Sequence, residues 1–277
     1  MRPPLSLALL AGLLLVPVRA FPGADRDEAL EAQIRVLQDV TRPDDQRAAV
    51  RTQLVTLVAR GEQAVIERIL KLGRETTNDS VRFQVGYVLA QTRLGKSIVP
   101  AAYTRAVVEL LATWFEPDDG NASVRLWAAV GLATSHDERV LPLLTEKALA
   151  PSCDPVIRAA VARALGGWRG PALEKRIVPL LVEFLKDKDP EMRITGCDAL
   201  RFTGVDSEEA IVPVLAVANG ETDERVWRAA VFALRRLGGG FLNIAQGGED
   251  AERKQKLQTW ENIWRRKKKA ATKEKGE

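Results

Sequence analysis

The feature that most constrains this chain is a short phrase that recurs along it. Asp189 to Leu200 reads DPEMRITGCDAL, and Asp154 to Leu165 reads DPVIRAAVARAL. Related stretches are DSVRFQVGYVLA from Asp79, NASVRLWAAVGLA from Asn121 and DERVWRAAVFAL from Asp223, with a weaker copy, VRTQLVTLVA, around Arg51. The Arg they share falls at Arg82, Arg125, Arg158, Arg193 and Arg228, so the first interval is 43 residues and the next three are 33, 35 and 35. A period in this range implies a solenoid of helix pairs, because one pair buries too little apolar surface to stand alone and must lean on its neighbours.

The apolar spacing divides the chain accordingly. A capping helix lies within 27–43, with Leu30, Ile34 and Leu37 on one side. Six pairs follow over 44–237. They are 44–59 with 62–72, 79 to a break at Gly95 with 99–115, 122–134 with 139–149, 155–165 with 173–186, 190–202 with 207–218, and a sixth from Asp223 to about Leu237. Asp44 or Asp45, Asp154 and Asp189 are expected to cap the helices that follow them. Leu165 and Leu200, and Ala164 and Ala199 before them, hold equivalent core positions. Residues 238–266 form a Gly-rich loop and a final helix, with Leu257, Trp260, Ile263 and Trp264 on one side. Trp260 and Trp264 are expected to lie over Leu234 and Leu237 as a lid. Residues 267–277 are a basic, disordered tail.

The first 20 residues read as a secretory signal peptide. Met1-Arg2 is a short positive start, Leu5–Val16 is apolar, and Pro17–Ala20 ends in small residues suited to a cut after Ala20. The apolar run has 12 residues, short of the roughly 20 a membrane-spanning helix needs. The expected location is therefore exported, periplasmic or secreted, with no transmembrane span after cleavage. The formal net charge of +4 includes Arg2, Arg19 and the end of the chain, where Arg265–Glu277 holds seven basic and two acidic residues. The rest is net acidic, so the pI of about 9.1 belongs to the tail and describes no basic binding face. Nucleic acid is disfavoured as a partner. The tail is left with a solvated role or a weak contact with the envelope or a polyanion.

These residues resemble the HEAT repeat family, and within it the short Ala-rich repeats similar to those of phycobilisome-lyase-type proteins. The family pattern is a Pro in the first helix of a pair, an Asp at the turn and Val-Arg in the second helix. Pro179, Asp187, Met192 and Arg193 match it, with Met for Val. Val81-Arg82 and Val124-Arg125 match the second half, and Ile157-Arg158 nearly does. Pro142 and Pro213 fit as first-helix prolines, while Ala150 and Glu221 stand near the place of Asp187. The match covers residues 44–237. The resemblance implies an all-α, right-handed α-α superhelical solenoid of HEAT-like pairs, about six repeats plus a terminal capping helix. It also implies that the Val-Arg helices line a concave face that binds another protein. The WENIW helix looks like the end cap of secreted or periplasmic members.

Few residues suggest chemistry. His136, the only His, sits at a turn beside Asp137 and Glu138, without the three or four ligands a zinc site takes. Cys153 and Cys197 fall at different levels of the repeat, too far apart along the helix direction for a disulfide. Cys197 is expected to be buried and Cys153 partly exposed. There is no GxSxG, GxGxxG or P-loop sequence, and no metal or cofactor is implied. The repeated Arg are expected to form an architectural ladder, pairing with acids such as Asp187 or Asp189. Aromatic and Arg residues on those helices are nevertheless the usual material of a binding hot spot. The candidate protein-binding residues are Arg82, Arg125, Trp127 and Arg158, with Phe83, Tyr87 and Trp227 on equivalent helices. The function this supports is a non-enzymatic interaction or scaffold module outside the cytoplasm. A structural subunit of an envelope complex, and a chromophore-lyase-like enzyme, stand as the alternatives.

Overall fold

The computed structural model describes residues 24–94, 98–116, 120–169, 173–238 and 250–274. The signal segment over 1–20, the turn at 117–119, most of the 238–249 loop and the last three residues lie outside them. The described residues form thirteen helices and no strand. They fall into two compact units, Met1–Ala150 and Pro151–Glu277.

In the first unit the helices are α1 (Ala24–Gln38), α2 (Asp44–Ala59), α3 (Gln63–Glu75), α4 (Asp79–Gln91), α5 (Ala101–Phe115) and α6 (Ala122–Thr134). α7 follows as a composite of Glu138–Val140, Leu141–Leu143 and Leu144–Ala148, passing from 3-10 through α to π geometry. α2, α4 and α6 pack in sequence as one layer, and α3 and α5 pack behind them as a second. In the second unit α8 (Pro155–Leu165), α10 (Pro190–Thr203) and α12 (Glu224–Leu237) form one layer. α9, made of Leu173–Ile177, Val178–Glu183 and Phe184–Lys186, forms the other with α11 (Glu208–Gly220) and α13 (Asp250–Glu274). Pro142 and Pro179 lie in the irregular α7 and α9. A proline removes an N–H from the helical ladder and crowds the preceding turn.

One register generates the even-numbered helices from α4 onward. Each begins at a side-chain cap: Asn78, Asn121, Asp154, Asp189 or Asp223 accepts a backbone N–H two residues on, and the first three accept another three residues on. Each cap stabilises its helix by about 1 kcal/mol. Counting from the cap, position +3 is Val81, Val124, Ile157, Met192 or Val226, all buried. Position +11 is Leu89, Leu132, Leu165, Leu200 or Leu234, every one with no exposed surface. Position +7 is small or β-branched, from Val85 and Ala128 to Val161, Gly196 and Ala230. The stripe at +3, +7 and +11 is an i, i+4, i+8 face, the one an amphipathic helix buries. α2 departs from this scheme. Its cap position is Pro43 with no side-chain bond, and Asp44 in its first turn pairs with Arg51 instead of capping.

α13 closes the second unit against α11. Leu257, Trp260 and Trp264 are buried, and the two Trp rings stack in parallel with centroids 6.1 Å apart. Trp264 donates its indole N–H to Asp206 at 2.8 Å, and the Trp260 ring lies against Gly238 at the end of α12. Ile263, expected on the buried side, is 41% exposed, because it falls off the 257–260–264 stripe. The segment expected to be disordered from 267 is helical as far as Glu274. It is rich in Lys, Ala and Glu, which are strong helix formers, and Lys268 reaches the Asp206 carboxylate at 3.1 Å.

Candidate functional site

Four residues were candidates on sequence. Arg82, Arg125 and Arg158 all occupy position +4 from a cap, which explains their shared phase. Arg158 is 8% exposed. It donates to Asp187 at 2.8 Å and lies 5.2 Å from the Phe184 ring centroid, so its guanidinium is committed to holding α8 against α9. Burial alone would raise the pKa of Asp187, but hydrogen bonds from the Asp189 N–H and from Arg158 outweigh it and hold the carboxyl below its ordinary value. Arg82 donates to the Thr76 carbonyl at 3.3 Å and to Asp79 at 3.4 Å. It lines an open cleft of about 710 Å³ with Arg74, Glu109 and Asn121. Arg125 lies over the Phe115 ring at 5.7 Å, tying α6 to α5.

Trp127 is placed differently. It sits at +6 on α6, half-exposed, and meets two half-exposed rings of α4. Its centroid is 4.7 Å from Tyr87 in a steep edge contact and 6.5 Å from Phe83. Phe83 and Tyr87 are themselves 6.5 Å apart. They are one helical turn apart on α4, so both project from the same side of that helix. Gly86 eases the approach, since a Cβ there would stand a tight 3.3 Å from the Trp127 Cβ. Beneath the rings lies Arg51 of α2, 7% exposed, 5.0 Å from the Tyr87 centroid and 5.8 Å from Phe83. It also donates to Gln84 at 2.5 Å and to Asp44 at 3.1 Å. Two of the three rings therefore cover a paired guanidinium, Trp127 packs on their edges, and all three keep part of their surface in water. This is the cation–π and edge-to-face arrangement that gives a rigid aromatic patch.

The sequence pointed to Trp127 and placed Phe83 and Tyr87 on an equivalent helix, but missed Arg51 as their floor. The signal was present: 51 and 87 fall on adjacent repeats of one layer. Trp227, the other aromatic on such a helix, is buried. Arg253 of α13 stacks on it at 4.2 Å and pairs with Glu224 at 2.7 Å.

His136 lies in the turn between α6 and α7 with a left-handed φ of 58°. Among the described residues, no group of three or more His, Cys, Asp or Glu side chains is placed to hold a metal. Cys153 and Cys197 are not joined in a disulfide. No described helix is long and apolar enough to cross a membrane.

Comparison with known proteins agrees with this architecture. Residues 146–235 match the family model for HEAT repeats. No curated protein sequence matches the chain. Among solved structures, the crystal structure of Kap121p bound to Pho4p aligns with a TM-score of 0.61 at 14% identity, over 91% of this chain and 29% of that one. An engineered protein aligns with a TM-score of 0.48 at 20% identity, over 83% and 97% of the two chains. A designed armadillo repeat protein in complex with the peptide (KR)4 also gives 0.48, at 14% identity over 84% and 100%. The fold is thus an all-α repeat solenoid, and its residues 146–235 match the model for HEAT repeats.

Proposed function

We propose that the chain is a non-catalytic, exported interaction module that holds a partner protein on the face carried by α4 and α6. The observation behind this is the cluster of Phe83 and Tyr87 on Arg51 with Trp127 packed against both rings. Its rings are fixed by mutual contacts, so little side-chain freedom remains to be lost on binding. They are partly exposed on helices whose other outward positions are mostly small, charged or aliphatic. A patch of aromatic residues floored by Arg has the composition of a hot spot. Two further supports are the fold type, shared with a structure solved with its protein partner bound, and the signal-like segment at the start of the sequence.

The test is affinity capture of the tagged protein from the extracytoplasmic fraction, in parallel with Trp127→Ala and Tyr87→Ala. The expected result is a protein enriched by the parent chain and depleted by roughly thirty-fold in affinity for either variant, a hot-spot loss of about 2 kcal/mol. A partner retained equally by both variants would move the site elsewhere. Absence of any enriched protein would favour a purely structural subunit. The expected mature N-terminus at Phe21 is checked by mass spectrometry of the exported protein.

A further inference from the structure

The second unit carries a different surface at the C-terminal ends of its even-numbered helices. Phe202, in the last turn of α10, is 51% exposed, and Phe232 of α12 is 42% exposed. They line an open depression of about 590 Å³ with Arg169, Arg201, Arg235 and Arg236. Arg201 lies over the Phe202 ring at 4.9 Å and pairs with Asp198 at 3.0 Å. Arg169 donates to the Phe202 carbonyl at 3.0 Å, which fixes its position beside the ring. Arg235 and Arg236 are exposed, and among the described residues neither has an ion-pair partner.

Arginine near a helix C-terminus complements the helix dipole, so part of this charge is architectural. The ends of α8, α10 and α12 are each worth about half a negative charge, and Asp198 supplies one more. Four guanidinium groups against these leave roughly one and a half positive charges. The dipole also gives no reason to expose two phenylalanines between the arginines. Elsewhere, apart from the C-terminal tail, the chain is net acidic, so this patch is a local exception.

We propose that this depression docks an acidic peptide segment bearing an aromatic or aliphatic side chain. Carboxylates would take Arg235 and Arg236 through the two-bond fork that guanidinium offers, while Arg169, held by backbone carbonyls, adds its charge beside them. The apolar side chain would cover Phe202 and Phe232. A phosphodiester strand or an anionic headgroup could use the arginines, but a strand wants a basic track along its length, and here the basic groups are gathered in one spot.

The experiment uses the full chain and a labelled Glu-rich peptide with one central Phe. Its controls are the same peptide with Ser for Phe, a single-stranded oligo-dT, and phosphatidylglycerol vesicles. The proposal expects saturable binding of the Phe peptide that weakens with salt. It expects about a tenfold loss each for the Ser peptide, for Arg235→Ala/Arg236→Ala and for Phe232→Ala. Trp127→Ala, in the other unit, should leave this binding unchanged, so a failure here is distinct from a failure of the α4–α6 site. The variant positions are exposed, and an unchanged thermal unfolding curve verifies the fold. Equal binding of the Ser peptide, insensitivity to the second-unit variants, tighter binding of the oligonucleotide or vesicles, or no peptide binding at all would overturn it.

Discussion

Arg193 grips Glu221 through two bonds, Nε to Oε2 at 2.7 Å and Nη2 to Oε1 at 3.2 Å. Glu221 stands two residues before the cap Asp223, just as Asp187 stands two before the cap Asp189. Arg158–Asp187 is thus the same contact one repeat earlier, and Arg193 also donates to the Asp187 carbonyl at 3.0 Å. In the second unit Arg158 and Arg193 each tie their helix to the turn that starts the next, which is how a local motif propagates a stack. Glu221 and Arg193 have side chains only 9% and 18% exposed. Glu221→Ala should therefore cost more than a surface pair, about 1.5–3 kcal/mol, because a shielded guanidinium loses its charged acceptor. Glu221→Gln, which keeps one acceptor, should cost less. Urea unfolding of both variants measures the difference.

The same contacts predict acid sensitivity. Burial would raise the pKa of Glu221, but Arg193 and the N–H groups of Asp223 and Thr222 outweigh it and hold it below its ordinary 4.5. Asp187 is likewise held below 3.8. A carboxyl with a lowered folded-state pKa stabilises the fold fully above its unfolded value and loses that contribution as pH falls through the folded value. Stability should thus be flat with respect to these groups above about pH 5 and fall below about pH 4.5. The fall should be shallower in Glu221→Gln. Melting temperatures across pH 3–6 check this, and an unchanged slope in the variant would remove Glu221 from the explanation.

Leu165 and Leu200 have no exposed surface and lie on packed neighbours, α8 and α10, within one unit. Truncating either to Ala should cost about 2–5 kcal/mol. Because the two helices touch, the double variant should depart from additivity. Equal m-values for parent and variants would confirm that unfolding stays cooperative.

The helix pairs, the caps and the buried Leu were legible because each is a local signal recurring at fixed spacing. Phase was less secure. Taking Arg as the marker placed Arg228 in the ladder, whereas counting from the cap places Trp227 there. Arg228 instead points to solvent and pairs with Glu224 at 3.0 Å. After α12 no further even-numbered helix follows in the described residues to supply an acid at the next turn, and Arg253 from α13 covers the Trp. The aromatic patch was half legible: Trp127 stands out, but its partners depend on how α4 and α6 pack. Phe202 and Phe232 were not legible, since thirty residues separate them and only the packing of α10 on α12 makes them neighbours.

The two thiols should behave oppositely. Cys197 has no exposed surface, and burial, with lesser help from Asp198 and Glu221, pushes its pKa up to about 12. Thiolate is the reacting species, so Cys197 should be inert at pH 8 in the folded protein. Cys153 is partly exposed. A thiol reagent should label one equivalent quickly and the second only after denaturant is added. Two fast equivalents would mean that α10 opens readily.

Gly166 tests the close approach of α8 to α10, with Gly220 of α11 as the control. A Cβ on Gly166 would land on the Ala199 carbonyl, a backbone atom that a rotamer change cannot move. A Cβ on Gly220, the last residue of α11, would meet nothing within 4 Å. Gly166→Ala should therefore destabilise the second unit by about 1–3 kcal/mol through overpacking. Gly220→Ala should be neutral or stabilise by up to about 1 kcal/mol, since Ala loses less backbone freedom on folding. The substitution is the same at the two sites, and the neighbouring helix at Gly166 predicts opposite signs in thermal unfolding. A neutral Gly166→Ala would mean that α8 and α10 sit further apart, and that the Leu165–Leu200 core is looser than their burial indicates.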